Sequence, residues 1–260
     1  MKNYTYPDPY DVITNHFIEQ NELYPGYWQK SENRIIQRLL SQIKTHLPQT
    51  GKTFLDAGCG EGRMLPEFAP LFDKITAIDP DHSRLLAAHR LATEKGIADK
   101  TTLYNYKLEE LDPNIQVDFV LSSHILQHIP TVVLPEMIRK LAKHLKGNGL
   151  LAIMTCHAVA YQESFTRSYL KNEKVIEEKI SETAFNTALD QKGILPAHFF
   201  ESQNLIKTFE KEGLNCIDHQ IFHLSIEETT RKENADDYYN SSPELQAQHG
   251  RDMFLLFHKQ

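Results

Sequence analysis

The stretch Thr53-Phe54-Leu55-Asp56-Ala57-Gly58-Cys59-Gly60-Glu61-Gly62-Arg63 constrains this chain more than any other. An apolar run ending in a carboxylate predicts a buried strand, the alternate glycines a tight turn, and the residues after them a helix start. Glycines at 58, 60 and 62 clear side chains from a close approach. A strand, a tight turn and a helix start also present backbone N–H groups and a positive dipole end to an anionic ligand.

Composition removes several classes. The chain has 260 residues and a formal net charge of −7, so no overall basic field points to nucleic acid or an anionic membrane. Its three cysteines, Cys59, Cys156 and Cys216, form no C-x-x-C pair. That suits a reducing compartment and argues against a disulfide framework or a zinc site. The N-terminus is polar and Tyr-rich, unlike a signal peptide, and no apolar run approaches the roughly 18 residues of a membrane span. A soluble, cytoplasmic protein is expected.

Before the first strand, Tyr4, Tyr6, Tyr10, Phe17, Tyr24, Tyr27 and Trp28 make an aromatic segment. Ile35, Ile36, Leu39, Leu40 and Ile43 then recur at helical spacing between Gln29 and His46. After the glycine loop the expected order is a short helix over Met64 to Phe72, a strand over Lys74 to Ile78 with Asp79 at its tip, and a helix capped by Asp81 or Ser83. A strand over Thr101 to Tyr106 and a buried strand over Val117 to Ser122 come next. The periodic residues Leu134, Met137, Ile138, Leu141 and Leu145 predict a helix closed by Gly147-Asn148-Gly149, before a strand over Leu150 to Thr155. Strands alternating with helices predict a parallel sheet with ligands at the carboxyl ends of the strands. Residues 158–200 read as a polar, helical segment. A helix over Ser202 to Glu212, a strand over Asn215 to Leu224, a polar connection over Ile226 to Arg251 and a last strand over Met253 to Phe257 complete the chain.

Two cofactor classes use such a loop. A dinucleotide fingerprint needs G-x-G-x-x-G, and here Arg63 stands at the third glycine position. Asp56, two places before the first glycine, is also out of character for that fingerprint. Asp79 suits ribose hydroxyls of either cofactor. With Asp79, Val117-Asp118-Phe119-Val120, the following Ser122-Ser123-His124-Ile125-Leu126-Gln127-His128-Ile129 and the Gly147-Asn148-Gly149 turn, residues 50–155 resemble the class I S-adenosylmethionine (SAM)-dependent methyltransferases.

The resemblance implies an α/β, Rossmann-like sheet of seven strands, mostly parallel with the last antiparallel, and helices on both faces. Residues 1–260 are then one domain: an N-terminal helical lid over 1–50, a SAM-binding core over 51–157, a helical cap insertion over 158–200 and the rest of the core over 201–260. It further implies that Gly58, Cys59 and Gly60 pass under the methionine part of SAM and that Asp56 lies near its ammonium. Asp79, followed by Pro80, would take the ribose hydroxyls, Leu108 would flank adenine, and Ser122 and His124 would border the methionine end. Lys107 departs from the acidic or amide residue that the family often has before the adenine position.

Methyl transfer needs an aligned nucleophile and sometimes a base. His128, His124 and His157 follow the fourth and fifth strands and are the candidate catalytic residues; a histidine titrates near neutral pH. Tyr24, Tyr27, Trp28 and Tyr161 are the candidate acceptor-binding residues. His124 and His128 would share a face if their turn were helical, but no third ligand joins them, and no metal is expected. The resulting expectation is an enzyme that moves a methyl group from SAM to oxygen or nitrogen of a small molecule, releasing S-adenosylhomocysteine. The alternatives are a nicotinamide-dependent oxidoreductase and a non-catalytic protein that binds SAM or S-adenosylhomocysteine. Nothing in the residues points to an oligomeric state.

Overall fold

The apolar run before the glycines is buried because it lies inside a sheet. In the computed structural model, which describes residues 10–189, 191–224 and 243–260, β1 (Thr53–Ala57) pairs in parallel with β2 (Lys74–Ile78) and β4 (Val117–Ser123). Outside them lie β3 (Thr101–Tyr104), which pairs with β2, and β5 (Leu145–Cys156), which pairs with β4. Late in the chain, β9 (Leu214–Leu224) and β10 (Gly250–Lys259) finish a seven-stranded sheet ordered β3-β2-β1-β4-β5-β10-β9. β10 runs antiparallel to both neighbours, as expected. The strand order reverses between β1 and β4, and such a switch point leaves a crevice at the strands' carboxyl ends.

Helices cover both faces. On one, Phe54 and Phe119 stack at 5.2 Å, and Phe68 of α3 (Leu65–Phe68) and the following Phe72 close the cluster. Ile35, Ile36, Leu39 and Ile43 of α2 (Tyr27–His46) extend the same face. On the other lie α5 (Leu134–Lys143) and α7 (Ser202–Glu210), with Phe209 stacked on Phe257 at 4.6 Å. α4 (His82–Glu94) is capped by Asp81, whose carboxylate accepts from the amides of Ser83 and Arg84 at 2.8 and 3.2 Å. No described helix is long and apolar enough to cross a membrane.

Several expected boundaries move. β3 ends at Tyr104, and β5 starts at Leu145, five residues early. Gly147-Asn148-Gly149 therefore forms an irregularity inside the β4–β5 pairing, with Asn148 at φ 62°, and does not close α5. The connection expected over 226–251 lies largely outside the described residues; its end forms α8 (Pro243–His249) and the start of β10. Tyr4 and Tyr6 also lie outside them.

The largest correction concerns residues 158–200. They form a three-stranded antiparallel sheet ordered β7-β6-β8, from β6 (Ser164–Lys171), β7 (Lys174–Ile180) and β8 (Ile194–Phe199), with one short helix, α6 (Glu182–Ala188). Two features hid it. The buried positions of β6 are Thr166 and Ser168, so no apolar alternation marks the strand. The hairpin turn is Asn172-Glu173, both at positive φ (52° and 61°), a backbone that glycine usually signals. Pro196 sits within β8, which is an edge strand and tolerates it. The N-terminal helix α1 (Tyr10–Asn21) packs on this cap sheet, while α2 packs on β5 and β9.

The cap is tied to the main sheet by His128, whose Nδ1–H donates to the Pro196 carbonyl at 2.7 Å. Burial lowers its pKa from 6.5 to about 4, so the folded protein keeps it neutral. An unfolded chain protonates it near 6.5. The contribution to stability is therefore fully present above about pH 6.5 and is lost as pH falls toward about 4, by on the order of 3 kcal/mol. Urea unfolding at about pH 7 and about pH 5 should show a steeper loss of stability on acidification in the wild type than in His128→Gln. Equal slopes would mean that His128 is not held neutral by burial.

Candidate active site

Two cavities, of about 660 and 650 Å³, open at the carboxyl ends of the strands. They share Gly58, Asp79, Ile125 and His128, so they meet over the glycine loop. Ile125 divides them: a Cβ on Gly58 would lie 2.5 Å from Ile125 Cδ1, and at φ 92° that position already favours glycine. The loop's amides turn inward. Those of Gly58 and Cys59 donate to the Ile78 carbonyl at 2.9 Å, that of Gly62 to the Cys59 carbonyl at 2.9 Å, and that of Gly60 to Asp79 Oδ2 at 2.9 Å. The expected cradle of N–H groups is thus spent on the fold at these four positions, and the loop offers a bare, close backbone instead.

Two carboxylates define the junction. Asp79 accepts from Gly60 through Oδ2 and from the amide of Asp81 through Oδ1 at 2.8 Å, and it faces both cavities. Burial raises its pKa, and those two amides pull against the rise. Asp56 is buried, and its Oδ2 has no hydrogen-bond partner among the described residues. Burial pushes its carboxyl up to about 7; the Arg63 charge opposes this and Asp79 adds to it. A buried carboxylate oxygen without a donor is costly, so the site fits a ligand that brings one.

The first cavity gathers Pro80, Lys107, Leu108 and Ser122 beside Asp79 and continues between α5 and α6. Asn186 of α6 exchanges hydrogen bonds of 3.1 Å with Thr131 there, holding the cap against the turn after β4. The second holds Asp56, Cys59 and Gly60 with Trp28, His124 and groups from α1, the cap, β9 and β10. His124, at φ 56°, precedes a 3-10 turn, Leu126–His128, so it shares no α-helical face with His128. Gln127 accepts from Thr155 Oγ1 at 2.9 Å and donates to His124 Nδ1 at 3.4 Å. Burial holds His124 below its ordinary value.

Four candidates line neither cavity. Tyr27 is fully buried, and its hydroxyl accepts from the Leu224 amide at 2.9 Å; Tyr24 packs edge-on against it at 5.4 Å. Both seat the N-terminal segment on the end of β9. His157 is buried with Nδ1–H donating to the Gly250 carbonyl at 3.0 Å, because β5 continues straight into the pairing with β10. Tyr161 is 54% exposed. In their place stand groups that carry no local sequence signal. Arg63 makes a two-pronged pair with Glu32 at 2.6 and 2.8 Å. Burial favours a neutral Glu32, but the Arg63 charge and hydrogen bond outweigh it and hold its carboxyl below the usual range. His223 and Asp252 bond at 2.6 Å, and the Arg251 guanidinium, 4.0 Å from the Phe17 ring, pairs with Glu177.

Known proteins share this framework. The ubiquinone biosynthesis O-methyltransferase of Rickettsia bellii is 27% identical over 154 residues, 55% of this chain and 62% of that protein. The chain thus spans less than two thirds of that relative's length. In fold it matches the 1,6-didemethyltoxoflavin-N1-methyltransferase of Burkholderia thailandensis, solved with 1,6-didemethyltoxoflavin and S-adenosylhomocysteine, at TM-score 0.58 and 14% identity, covering 100% of this chain and 92% of that one. An S-adenosylmethionine-dependent methyltransferase of Clostridium acetobutylicum matches at TM-score 0.60 and 12% identity, covering 97% and 98% of the two chains. The profile of the methyltransferase domain family matches residues 27–219, well over half of the chain, which therefore belongs to that family.

Proposed function

We propose that this chain transfers a methyl group from SAM to a small-molecule acceptor held beneath the N-terminal helices and the cap sheet. One observation carries the choice of donor. Four amides of the glycine loop are spent internally, while the adjoining Asp56 has a buried oxygen without a donor. A pyrophosphate would need those amides and would be repelled by that carboxylate; an ammonium fits it. This sets the nicotinamide reading aside, and a second cavity of about 650 Å³ meeting the first over the glycine loop favours an enzyme over a binding module.

When bound, SAM supplies a methyl group on a positively charged sulfur. Asp56 holds its ammonium, and Gly58 and Gly60 let its methionine part lie against the backbone. Asp79 retains lone pairs beyond its two amide bonds for the ribose hydroxyls. Leu108 and Pro80 flank the base in the first cavity, and Ser122 and His124 border the methionine end. His128 acts as the fastener of the cap over the junction. The acceptor occupies the second cavity, walled by Trp28 and α1. Three free thiols, two of them buried, suit the reducing cytoplasm.

Asp79→Ala is expected to weaken SAM binding by more than about tenfold in isothermal titration, since a pair of hydroxyls loses its acceptor. Unchanged affinity would place the ribose elsewhere. The raised pKa of Asp56, about 7, adds a pH signature. Above that value the carboxylate is ionised and holds the ammonium; below it the group is protonated and the attraction fades. Affinity for SAM should therefore fall as pH drops from about 8 to about 5.5, whereas Asp56→Asn should bind more weakly and with a flatter pH profile. A flat wild-type profile would remove Asp56 from the ammonium.

A further inference from the structure

The second cavity holds an acid that donor binding does not use. Asp252 begins the buried part of β10, in register with Cys156 of β5 and Phe222 of β9, and it faces the cavity from the side opposite the glycine-loop strands. Its Oδ2 accepts from His223 Nδ1 at 2.6 Å. The other ring nitrogen of His223 meets the Trp28 carbonyl at 3.1 Å, and the ring lies against the Trp28 indole at 4.0 Å. The carboxylate is thereby fixed in orientation. Beyond that bond, the partner of the carboxylate among the described residues is the Cys156 thiol, a weak donor, so lone pairs remain for a ligand in the cavity.

Charge pairing around it is uneven. Arg63 is spent on Glu32 and Arg251 on Glu177, while Asp252 is hydrogen-bonded to His223. Ile13, Phe17 and Ile18 of α1 supply an apolar wall to the same cavity. We infer that Asp252 is the acceptor-binding carboxylate and that the acceptor is a primary or secondary amine, its nitrogen donating to Oδ1 and its apolar body lying against α1. This rests on the methyl-transfer reading above.

The chemistry of transfer favours nitrogen at this position. The acceptor ammonium first gives up a proton to water; the freed lone pair forms the N–C bond as the C–S bond breaks, the bonding electrons stay on sulfur, and the positive charge passes to nitrogen. A fixed carboxylate stabilises that developing charge, and the product ammonium later releases its proton to water. A hydroxyl would instead need a base near neutral pKa. Of the groups in the cavity, Asp56, at about 7, is taken by the donor's ammonium in this reading, and both ring nitrogens of His223 are engaged by Asp252 and the Trp28 carbonyl. Burial takes His128 to about 4 and lowers His124, and although burial opposes ionisation of Asp252 and Glu32, the His223 hydrogen bond and Arg63 hold their carboxyls below the usual range.

The test uses the full chain, methyl-labelled SAM and matched probes: benzylamine, phenethylamine and N-methylbenzylamine beside benzyl alcohol, 2-phenylethanol and phenol. Label should pass to amines and not to hydroxyls, and the amines should bind the protein saturated with S-adenosylhomocysteine. Asp252→Asn should lower amine turnover at least about tenfold while leaving the SAM dissociation constant within about twofold. Transfer to a hydroxyl probe, or amine turnover that Asp252→Asn leaves intact, overturns the inference. So does SAM binding without any binding or transfer to the amines, and that result leaves the choice of methyl donor standing. Failure of the wild type to bind SAM overturns the choice of donor and this inference with it. Should Asp252→Asn not fold, the amine-against-hydroxyl comparison on the wild type decides alone.

Discussion

Asp79 receives two backbone N–H groups from two different loops, and the site is assembled around that fork. Gly60 donates to one carboxylate oxygen at 2.9 Å and Asp81 to the other at 2.8 Å. The glycine loop after β1 and the start of α4 are thus held to one side chain at the tip of β2. Each bond to a charged acceptor is worth about 1.5–3 kcal/mol. Two such bonds offset much of the cost of burying the carboxylate, whose pKa still rises. Because the fork uses each oxygen once, lone pairs remain toward both cavities. The ligand-facing chemistry and the loop geometry therefore depend on the same group.

A second set of contacts closes the space above that fork. Arg251 leaves β10 and places its guanidinium between the Phe17 ring of α1 at 4.0 Å and the Phe199 ring of β8 at 4.8 Å, while pairing with Glu177 of β7. Cation–π contacts of this kind strengthen where water is excluded. His128 adds its bond to Pro196, and Asn186 its pair of bonds to Thr131. Main sheet, N-terminal helix and cap are fastened by polar groups at the cavity rim, and the apolar cores of the main sheet lie elsewhere. The second cavity is consequently bounded by charged and polar side chains as well as by the apolar wall of α1.

Legibility in the sequence followed the range of the interactions involved. The order of strands and helices from β1 through residue 155 could be read because β1, β2 and β4 are largely buried and carry the short apolar stretches Phe54-Leu55, Ala77-Ile78 and Phe119-Val120-Leu121. Gly58 and Asp79 could be read because a tight turn and a strand-tip carboxylate are local events. The cap sheet was hidden by Thr166 and Ser168 on its buried positions and by a turn without glycine. Tyr27 and His157 looked available in the sequence and are packed away, because Leu224 and Gly250, far along the chain, engage the Tyr27 hydroxyl and His157 Nδ1.

By itself the sequence determined that a strand, a glycine turn and a helix would meet an acid at the next strand tip, since each of those depends on neighbouring residues. Only the tertiary structure decided that the loop's amides face inward and that Asp56 is left with a bare oxygen. It also brought Glu32, His223 and Asp252 around one cavity from α2, β9 and β10. Those residues lie as far as 220 positions apart in a chain of 260. No local propensity records such a meeting, because it is the closing of the sheet by its last two strands that brings them together.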